Sequence, residues 1–276
     1  MTLSQRSTAR TPSLNRMGWV LPESQRVSSP NFSRGRGGFS PDILVIHYAV
    51  DGDVFAEADG DPEEVDPLFA PRSEDDDALD VAKLFARKAR RASAHFAIGR
   101  DRSAFQCVSL DDTAWAQGGG AFPRNGVGPL EKPRAYEANR RGVSIELCNA
   151  GWAADRLGVP DDQQQEAAHR FTPRRKNRWE TFPLKQISAL EYIAALVRPS
   201  MGRNPGSPEG PVFVCGHEDM VNTHTQQLRY DRPGKFYGSK VDPGPLFPWP
   251  VIDWRALGYT PVFYDMKTRA WRERVR

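Results

Sequence analysis

Long hydrophobic runs and paired cysteines are missing from this 276-residue sequence. No run approaches the ~18 apolar residues that cross a membrane, and the N-terminus lacks the apolar core of a secretory signal peptide. The cysteines are an odd number without a close pairing motif, and each lies within or beside an apolar, strand-like run: Cys107, Cys148 and Cys215. We therefore expect buried free thiols, in a protein that is cytoplasmic or exported without an N-terminal signal peptide.

A large excess of charge of one sign is also missing. The sequence has 38 Lys and Arg against 35 Asp and Glu, and the net charge of +3 is too small to indicate a nucleic-acid partner. Basic residues dominate only the N-terminal segment, which is rich in Ser, Arg and Pro and has no apolar periodicity. We predict a basic, flexible arm over residues 1–28, either solvated or attracted to an anionic cell wall or membrane surface, before a single domain over residues 29–276.

Apolar runs alternate with helical patterns along the rest of the chain. Three runs predict buried strands: Ile43–Tyr48, Val143–Cys148 and Val212–Cys215. Residues 95–99 and 104–108 predict a tight hairpin, so the sheet contains antiparallel pairing. Helical spacing of apolar residues predicts one helix over residues 76–91 and a second from Leu184 to Pro199. The expected fold class is α/β, with a central mixed β-sheet flanked by helices in one domain.

The second helix is the clearest one in the sequence. Thr181 is a possible N-cap, and Pro183 follows at an early position. Its predicted apolar face consists of Leu184, Ile187, Leu190, Ile193, Ala194 and Val197. Residues 51–77, 117–141 and 218–239 are predicted loops.

Two histidines end predicted strands, where a rigid strand end can direct a side chain into a cleft: His47 and His217. Asp242 follows His217 after one loop. Imidazole and carboxylate are common zinc ligands, and catalytic zinc usually has three protein ligands and one open position. Each histidine taken alone is also compatible with a hydrogen-bonded structural role. A thiolate from Cys215 or Cys148 is an alternative ligand that would displace Asp242.

An acid within an apolar strand is a second chemical signal. Glu146 is either the partner of a buried cation or a proton shuttle beside a metal-bound water. Lys240 is two residues before Asp242, so both point the same way in an extended segment, and it is either an oxyanion stabiliser or a surface lysine. His95 is expected to be structural, and His169 and His224 lie in polar surroundings and are expected to be solvated.

Short elements between about residues 29 and 255 together carry a family resemblance. They are Ser29–Phe32, Asp42–His47, Ser93–Asp101, Ala114–Trp115, Asn139, Ser144–Leu147, Gly216–His217 and Lys240–Pro245. With these elements the chain resembles the zinc-dependent N-acetylmuramoyl-L-alanine amidases (amidase type 2), which include peptidoglycan recognition proteins, and it is most similar to bacterial anhydro-muropeptide amidases.

The resemblance implies a zinc hydrolase that cuts the amide between N-acetylmuramic acid and L-alanine in peptidoglycan or muropeptides. The implied Zn²⁺ ligands are His47, His217 and Asp242, the implied catalytic residues are Glu146 and Lys240, and the implied substrate contacts are Trp115, Asn139 and Tyr48. Oligomeric state cannot be read from the sequence.

Two departures from the family pattern leave the substrate open. Ala116-Gln117 stands where the family commonly has histidine after Ala-Trp, and the segments after His47 and between His217 and Asp242 are longer than usual. The alternatives are therefore a peptidoglycan-binding module without catalysis and a zinc amidase that acts on a substrate outside the cell wall.

Overall fold

The computed structural model has a mixed eight-stranded sheet at its centre. It describes residues 18–49, 77–118, 122–123, 126, 128–129, 137–154, 158–169, 176–202, 210–220, 242–265, 267–268 and 270–275. The strands are β1 (Phe32–Ser33), β2 (Ile43–Ala49), β3 (Phe96–Ile98), β4 (Ala104–Gln106), β5 (Thr113–Ala114), β6 (Gly128–Pro129), β7 (Gly142–Cys148), β8 (Gln164–Ala168), β9 (Lys176–Glu180), β10 (Phe213–Gly216), β11 (Thr260–Asp265) and β12 (Ala270–Glu273). The helices are α1 (Asp77–Ala86), α2 (Glu137–Arg141) and α3 (Leu184–Val197).

The strand order in the large sheet is β4-β3-β7-β2-β10-β11-β12-β6. Five adjacent strands, β3, β7, β2, β10 and β11, are parallel to one another. At the edges, β4 is antiparallel to β3, β12 is antiparallel to β11, and β6 is antiparallel to β12. Two separate two-stranded sheets pair β1 with β5 and β8 with β9. The prediction of an α/β fold with a mixed central sheet is confirmed.

Both faces of the central strands are covered, which explains why these strands are continuous apolar runs. Helix α3 packs on one face, where Ile187 and Leu190 join Leu44 and Ile46 in one buried cluster. On the other face, α1 packs against Ala97 and Cys148, and Phe122 packs with Val45 and with the aromatic residues of β11 and β12. Alternate strand residues point to opposite faces. His47 therefore shares the face opposite α3 with Val45.

The first described residues pack against the sheet edge. Val20 and Leu21 donate backbone N–H groups to Gln106 Oε1 at 2.9 and 3.2 Å, and Val27 N–H donates to the Gln106 carbonyl at 3.0 Å. Residues 18–28 were expected to belong to the flexible arm, so the boundary predicted at residue 29 falls inside the packed part. The remainder of the arm lies outside the described residues.

Local details of α3 differ from the sequence prediction. Pro183 occupies the N-cap position without a side-chain cap, so Thr181 does not cap this helix. Leu184 is 75% exposed instead of lying on the buried face, although Gln186 and Ile187 of the same turn are buried. The predicted hairpin of β3 and β4 and the helix α1 are present.

The polar hairpin of β8 and β9 was not predicted. The predicted loop over residues 117–141 contains β6 and α2. No helix among the described ranges is long and apolar enough to cross a membrane. All three cysteines are buried free thiols, as expected.

Candidate metal centre and catalytic site

Two neighbouring parallel strands bring the predicted histidines together. The register of β2 and β10 pairs Gly216 with Ile46, so His217 leaves β10 beside His47. Both imidazoles are buried, and their ring centroids are 4.3 Å apart. The pairing of adjacent parallel strands thus brings together two histidines that are 170 positions apart in sequence.

Asp242 completes a group of three possible ligands. Its Oδ2 atom lies 3.1 Å from His47 Nδ1 and 3.0 Å from His217 Nδ1. The Asp242 carbonyl also accepts the Glu218 N–H at 2.7 Å, which ties this segment to the turn that carries His217. His47, His217 and Asp242 are the described residues that could hold a metal ion together, because their ligand atoms all lie within 4.8 Å of one another.

The donor set and its spacing fit a zinc ion. Tetrahedral zinc ligands at about 2.0–2.1 Å from the metal lie about 3.3 Å from one another, close to the separations of the carboxylate oxygen from the two imidazole nitrogens. His47 Nε2 is buried and has no hydrogen-bond partner within the described part of the chain. In zinc sites the ring nitrogen that does not bind the metal commonly donates a hydrogen bond to a neighbouring acceptor. In His47 that nitrogen would be Nε2, because Nδ1 is the atom that faces Asp242 Oδ2.

Glu146 lies at the rim of this group. The parallel register of β2 and β7 pairs it directly with His47, and its Oε1 atom is 3.8 Å from His47 Nδ1. Its side chain is 13% exposed, so solvent reaches the carboxylate. A carboxylate that is close to the ligands but farther away than the Asp242 oxygen suits proton transfer better than metal ligation.

Comparison with known proteins places the chain in a family. Residues 37–245, more than half of the chain, match the model of the N-acetylmuramoyl-L-alanine amidase family (Amidase_2). The chain belongs to this family. It is a hydrolase with N-acetylmuramoyl-L-alanine amidase activity, as the sequence predicted.

Two solved structures are similar to the amidase. A selenomethionyl AmpD derivative is 22% identical, with 87% of this chain and 97% of that chain covered and a TM-score of 0.43. AmpDh3 from Pseudomonas aeruginosa, in complex with anhydromuramic pentapeptide, is 19% identical, with 84% and 65% covered and a TM-score of 0.39. A search of curated proteins found no match.

Tyr48 lies beside the group of three possible metal ligands, His47, His217 and Asp242. Burial raises the pKa of Tyr48 well above its ordinary value, and the nearby carboxylates of Asp242 and Glu218 raise it further. The phenol therefore keeps its proton at neutral pH. Its ring packs on Gly151, where an added Cβ would lie 2.3 Å from a ring carbon and where φ is +55°, so this position requires glycine.

The other predicted substrate contacts lie apart from the metal group. Trp115 is 38% exposed, and its Nε1 donates to Ser33 Oγ at 2.9 Å, so it is not a core tryptophan. Asn139 is buried before the N-terminal end of β7, and its Oδ1 accepts the Gln117 N–H at 2.7 Å. Its amide thus holds a loop at the strand end opposite Glu146. Lys240 lies outside the described residues.

Gln117, in the stretch that departs from the family pattern, bonds to the strand that carries Glu146. Its side chain is buried and donates to Ser144 Oγ at 2.6 Å. Ser144 shares a sheet face with Glu146, and its N–H donates to His95 Nδ1 at 3.0 Å. Burial, together with the Arg36 guanidinium, holds the pKa of His95 well below its ordinary value. His95 is thus a neutral structural histidine, as expected.

The cysteines do not join the metal group. Cys215 lies in a buried apolar cluster with Val45 and Phe213, and Cys148 lies in the cluster beneath α1. Cys107 is also in that second cluster, and burial raises the pKa of its thiol to about 12. The geometry favours Asp242 over a thiolate as the third ligand.

The residues that follow His217 are functional neighbours that sequence reasoning missed. Asp219 is fully buried and accepts Gly216 N–H at 3.2 Å, Tyr264 N–H at 2.9 Å and Arg274 Nη2–H at 2.9 Å. Two acids directly after a buried strand, Glu218-Asp219, were the available signal. His224, expected to be solvated, lies outside the described residues.

His169 was predicted to be solvated, and this prediction was wrong. The side chain is buried, and its Nε2 lies 2.7 Å from Glu218 Oε2. Its ring stacks on Trp179 with centroids 5.8 Å apart. The polar sequence around His169 belongs to a largely polar hairpin, and only the tertiary fold places this side chain inward.

Proposed function

We propose that the amidase is zinc-dependent and cleaves the bond between the lactyl group of N-acetylmuramic acid and L-alanine, with Zn²⁺ held by His47, His217 and Asp242. The observation that supports this is the convergence of two imidazole nitrogens on one carboxylate oxygen at 3.0 and 3.1 Å. Two nitrogen ligands and one oxygen ligand match the composition of catalytic zinc sites, which keep a fourth position open.

Proton transfer in this proposal belongs to Glu146. When bound, zinc lowers the pKa of a coordinated water toward ~7 and polarises the substrate carbonyl. The Glu146 carboxylate accepts the proton of the attacking water and donates it to the departing amine of L-alanine. One water is consumed, the C–N bond breaks, and a lactyl carboxylate and a free amine form. The partial exposure of Glu146 gives its carboxylate access to the water.

Three further residues contribute to substrate recognition and charge stabilisation in this proposal. The Tyr48 phenol keeps its proton beside the carboxylates and acts as a hydrogen-bond donor to the substrate. The exposed indole of Trp115 offers a surface on which a sugar ring or peptide packs. Lys240, outside the described residues, stabilises the developing oxyanion by its charge.

Zinc content together with turnover tests the ligand assignment. We expect purified wild-type protein to contain about one zinc per chain and His217→Ala to lose both zinc and muropeptide hydrolysis while keeping its circular-dichroism spectrum. Tyr192→Ala, on the exposed side of α3, is the matched control and should keep both. A folded His217→Ala protein that still cleaves muropeptides shows that the assignment is wrong.

A zinc amidase that acts on a substrate outside the wall remains the second candidate, and Ala116-Gln117 is the feature that favours it. Gln117 is buried and bonded to Ser144 instead of facing the substrate. Parallel assays on intact sacculi, soluble anhydro-muropeptides and simple N-acyl-alanine amides separate the two candidates. Cleavage of only the simple amides would support the second one.

A further inference from the structure

We infer that His169 is a positioning residue for the metal centre: the β8–β9 hairpin holds the two C-terminal ligands, His217 and Asp242, through the His169–Glu218 contact. This inference rests on the proposed zinc site. It assigns a role to a hairpin whose strands carry none of the proposed ligands or catalytic groups.

Glu218 joins the hairpin to both ligands. It directly follows His217 in the short 3₁₀ turn His217–Asp219, and its backbone N–H donates to the Asp242 carbonyl at 2.7 Å. Its side chain meets His169 Nε2 at 2.7 Å, with both groups buried. A shift of Glu218 therefore moves the backbone of one ligand directly and the other through a hydrogen bond.

A second contact from the same hairpin supports the Asp242 segment. The Trp179 ring packs against Gly244, where an added Cβ would lie 2.6 Å from a ring carbon. The same indole stacks on His169 and donates its Nε1–H to the Ala167 carbonyl at 3.1 Å. His169 and Trp179 thus form one layer between the hairpin and both ligand-bearing segments.

The hairpin has a firm attachment to the sheet, which positioning requires. Arg100, in the turn after β3, pairs with the buried Glu180 at 2.9 Å and donates to the Thr181 carbonyl at 2.8 Å. Glu180 also accepts the Ala150 N–H just beyond β7. The base of the hairpin is therefore fixed to the ends of two strands of the central sheet, β3 and β7. At its other end, His169 contacts Glu218 in the turn His217–Asp219.

Zinc affinity of the metal-free protein tests the inference, because outer partners of metal sites typically change metal affinity about 10–100-fold. We expect His169→Leu to raise the zinc Kd about tenfold, measured by competition with a chromogenic chelator. His169→Gln keeps an N–H donor near the Nε2 position and should stay close to wild type. The absorption spectrum of the Co²⁺-substituted protein should change in His169→Leu and not in His169→Gln.

A double-mutant comparison separates positioning from simple stability. If His169 acts through Glu218, the loss of zinc affinity in His169→Leu/Glu218→Leu should be smaller than the product of the two single losses. Lys176→Ala, in the exposed Lys176–Glu166 pair of the same hairpin, is the control and should bind zinc like wild type. If the His169→Leu protein does not fold, His169→Asn replaces it in these experiments, because the shorter side chain withdraws the N–H donor from Glu218.

The outcomes distinguish this inference from the proposed function. A wild-type protein that binds no zinc overturns both. A wild-type protein that binds zinc, with a folded His169→Leu variant of equal affinity, overturns only the positioning role. Equal weakening by His169→Leu and His169→Gln would also overturn it, because the hydrogen bond to Glu218 would then not be the cause.

Discussion

At the scale of single residues, the distinction between ligand and proton shuttle depends on small differences in distance. Asp242 Oδ2 lies within 3.1 Å of both histidines, whereas Glu146 Oε1 is 3.8 Å from His47 Nδ1 and is partly exposed. We therefore propose different carboxylates for metal binding and for proton transfer. Removing the charge of each one should have a different consequence.

Glu146→Gln should keep zinc and lose turnover. General acid–base catalysis contributes typically about 10²–10⁴-fold, so we expect kcat to fall by about that factor. Metal content by elemental analysis and release of peptide by chromatography measure the two quantities. Asp242→Asn is the matched comparison and should lose zinc as well. Loss of zinc from Glu146→Gln would make Glu146 a ligand and contradict the proton-shuttle role.

Arg274, near the C-terminal end of the described chain, forms an ion pair with Asp219 in the turn His217–Asp219, which carries the proposed ligand His217. Its guanidinium bonds to the buried Asp219 at 2.9 Å and lies 4.4 Å from the Trp249 ring centroid. Because Arg274→Met leaves a buried carboxylate without its cation, we expect a loss of about 1–3 kcal/mol in the free energy of unfolding. Urea titration measures it.

Arg272→Met is the control for this substitution, since Arg272 pairs with Asp265 in a largely exposed position. Such exposed pairs contribute little to stability, so Arg272→Met should lose much less than Arg274→Met. Equal losses for Arg272→Met and Arg274→Met would mean that the buried position of Asp219 does not matter to stability.

At the scale of secondary-structure elements, the three parallel strands β2, β7 and β10 bring His47, Glu146 and His217 together. Each strand was predicted because it is an apolar, β-branched run, and each of these side chains was noticed because it interrupts or ends such a run. The hairpin of β8 and β9 has no such pattern: Gln164–Ala168 and Lys176–Glu180 are largely polar and mostly half-buried. His169, at its end, therefore escaped prediction.

Helix α3 shows how far periodicity alone carries a prediction. Its spacing predicted the extent of the helix and most of its buried face, but it did not reveal that Leu184, the first residue of the helix, is exposed. Leu190→Ala should lower the free energy of unfolding by about 2–5 kcal/mol, because Leu190 is fully buried against the sheet. Leu184→Ala should stay within about 0.5 kcal/mol. Chemical denaturation of both variants tests this, and a large loss for Leu184→Ala would contradict the observed exposure.

At the scale of the whole molecule, the thiols report on the integrity of the fold. Cys107, Cys148 and Cys215 are free and buried in the clusters on the face opposite α3. Burial raises the pKa of Cys107 to about 12, so its reactive thiolate is scarce at pH 8. A thiol-reactive chromogenic disulfide should label none of them in the native protein and all three in denaturant. Rapid labelling of the native protein would contradict this packing.

We propose that a zinc centre built from His47, His217 and Asp242 hydrolyses the lactyl–alanine amide. The decisive experiment is mass spectrometry of a soluble anhydro-muropeptide after incubation with the protein. Two products are expected, a peptide with a free L-alanine amine and a sugar with a free lactyl carboxylate. Both should disappear after treatment with a chelator and return when zinc is added. An unchanged muropeptide, or cleavage that survives complete metal removal, would show that the proposed function is wrong.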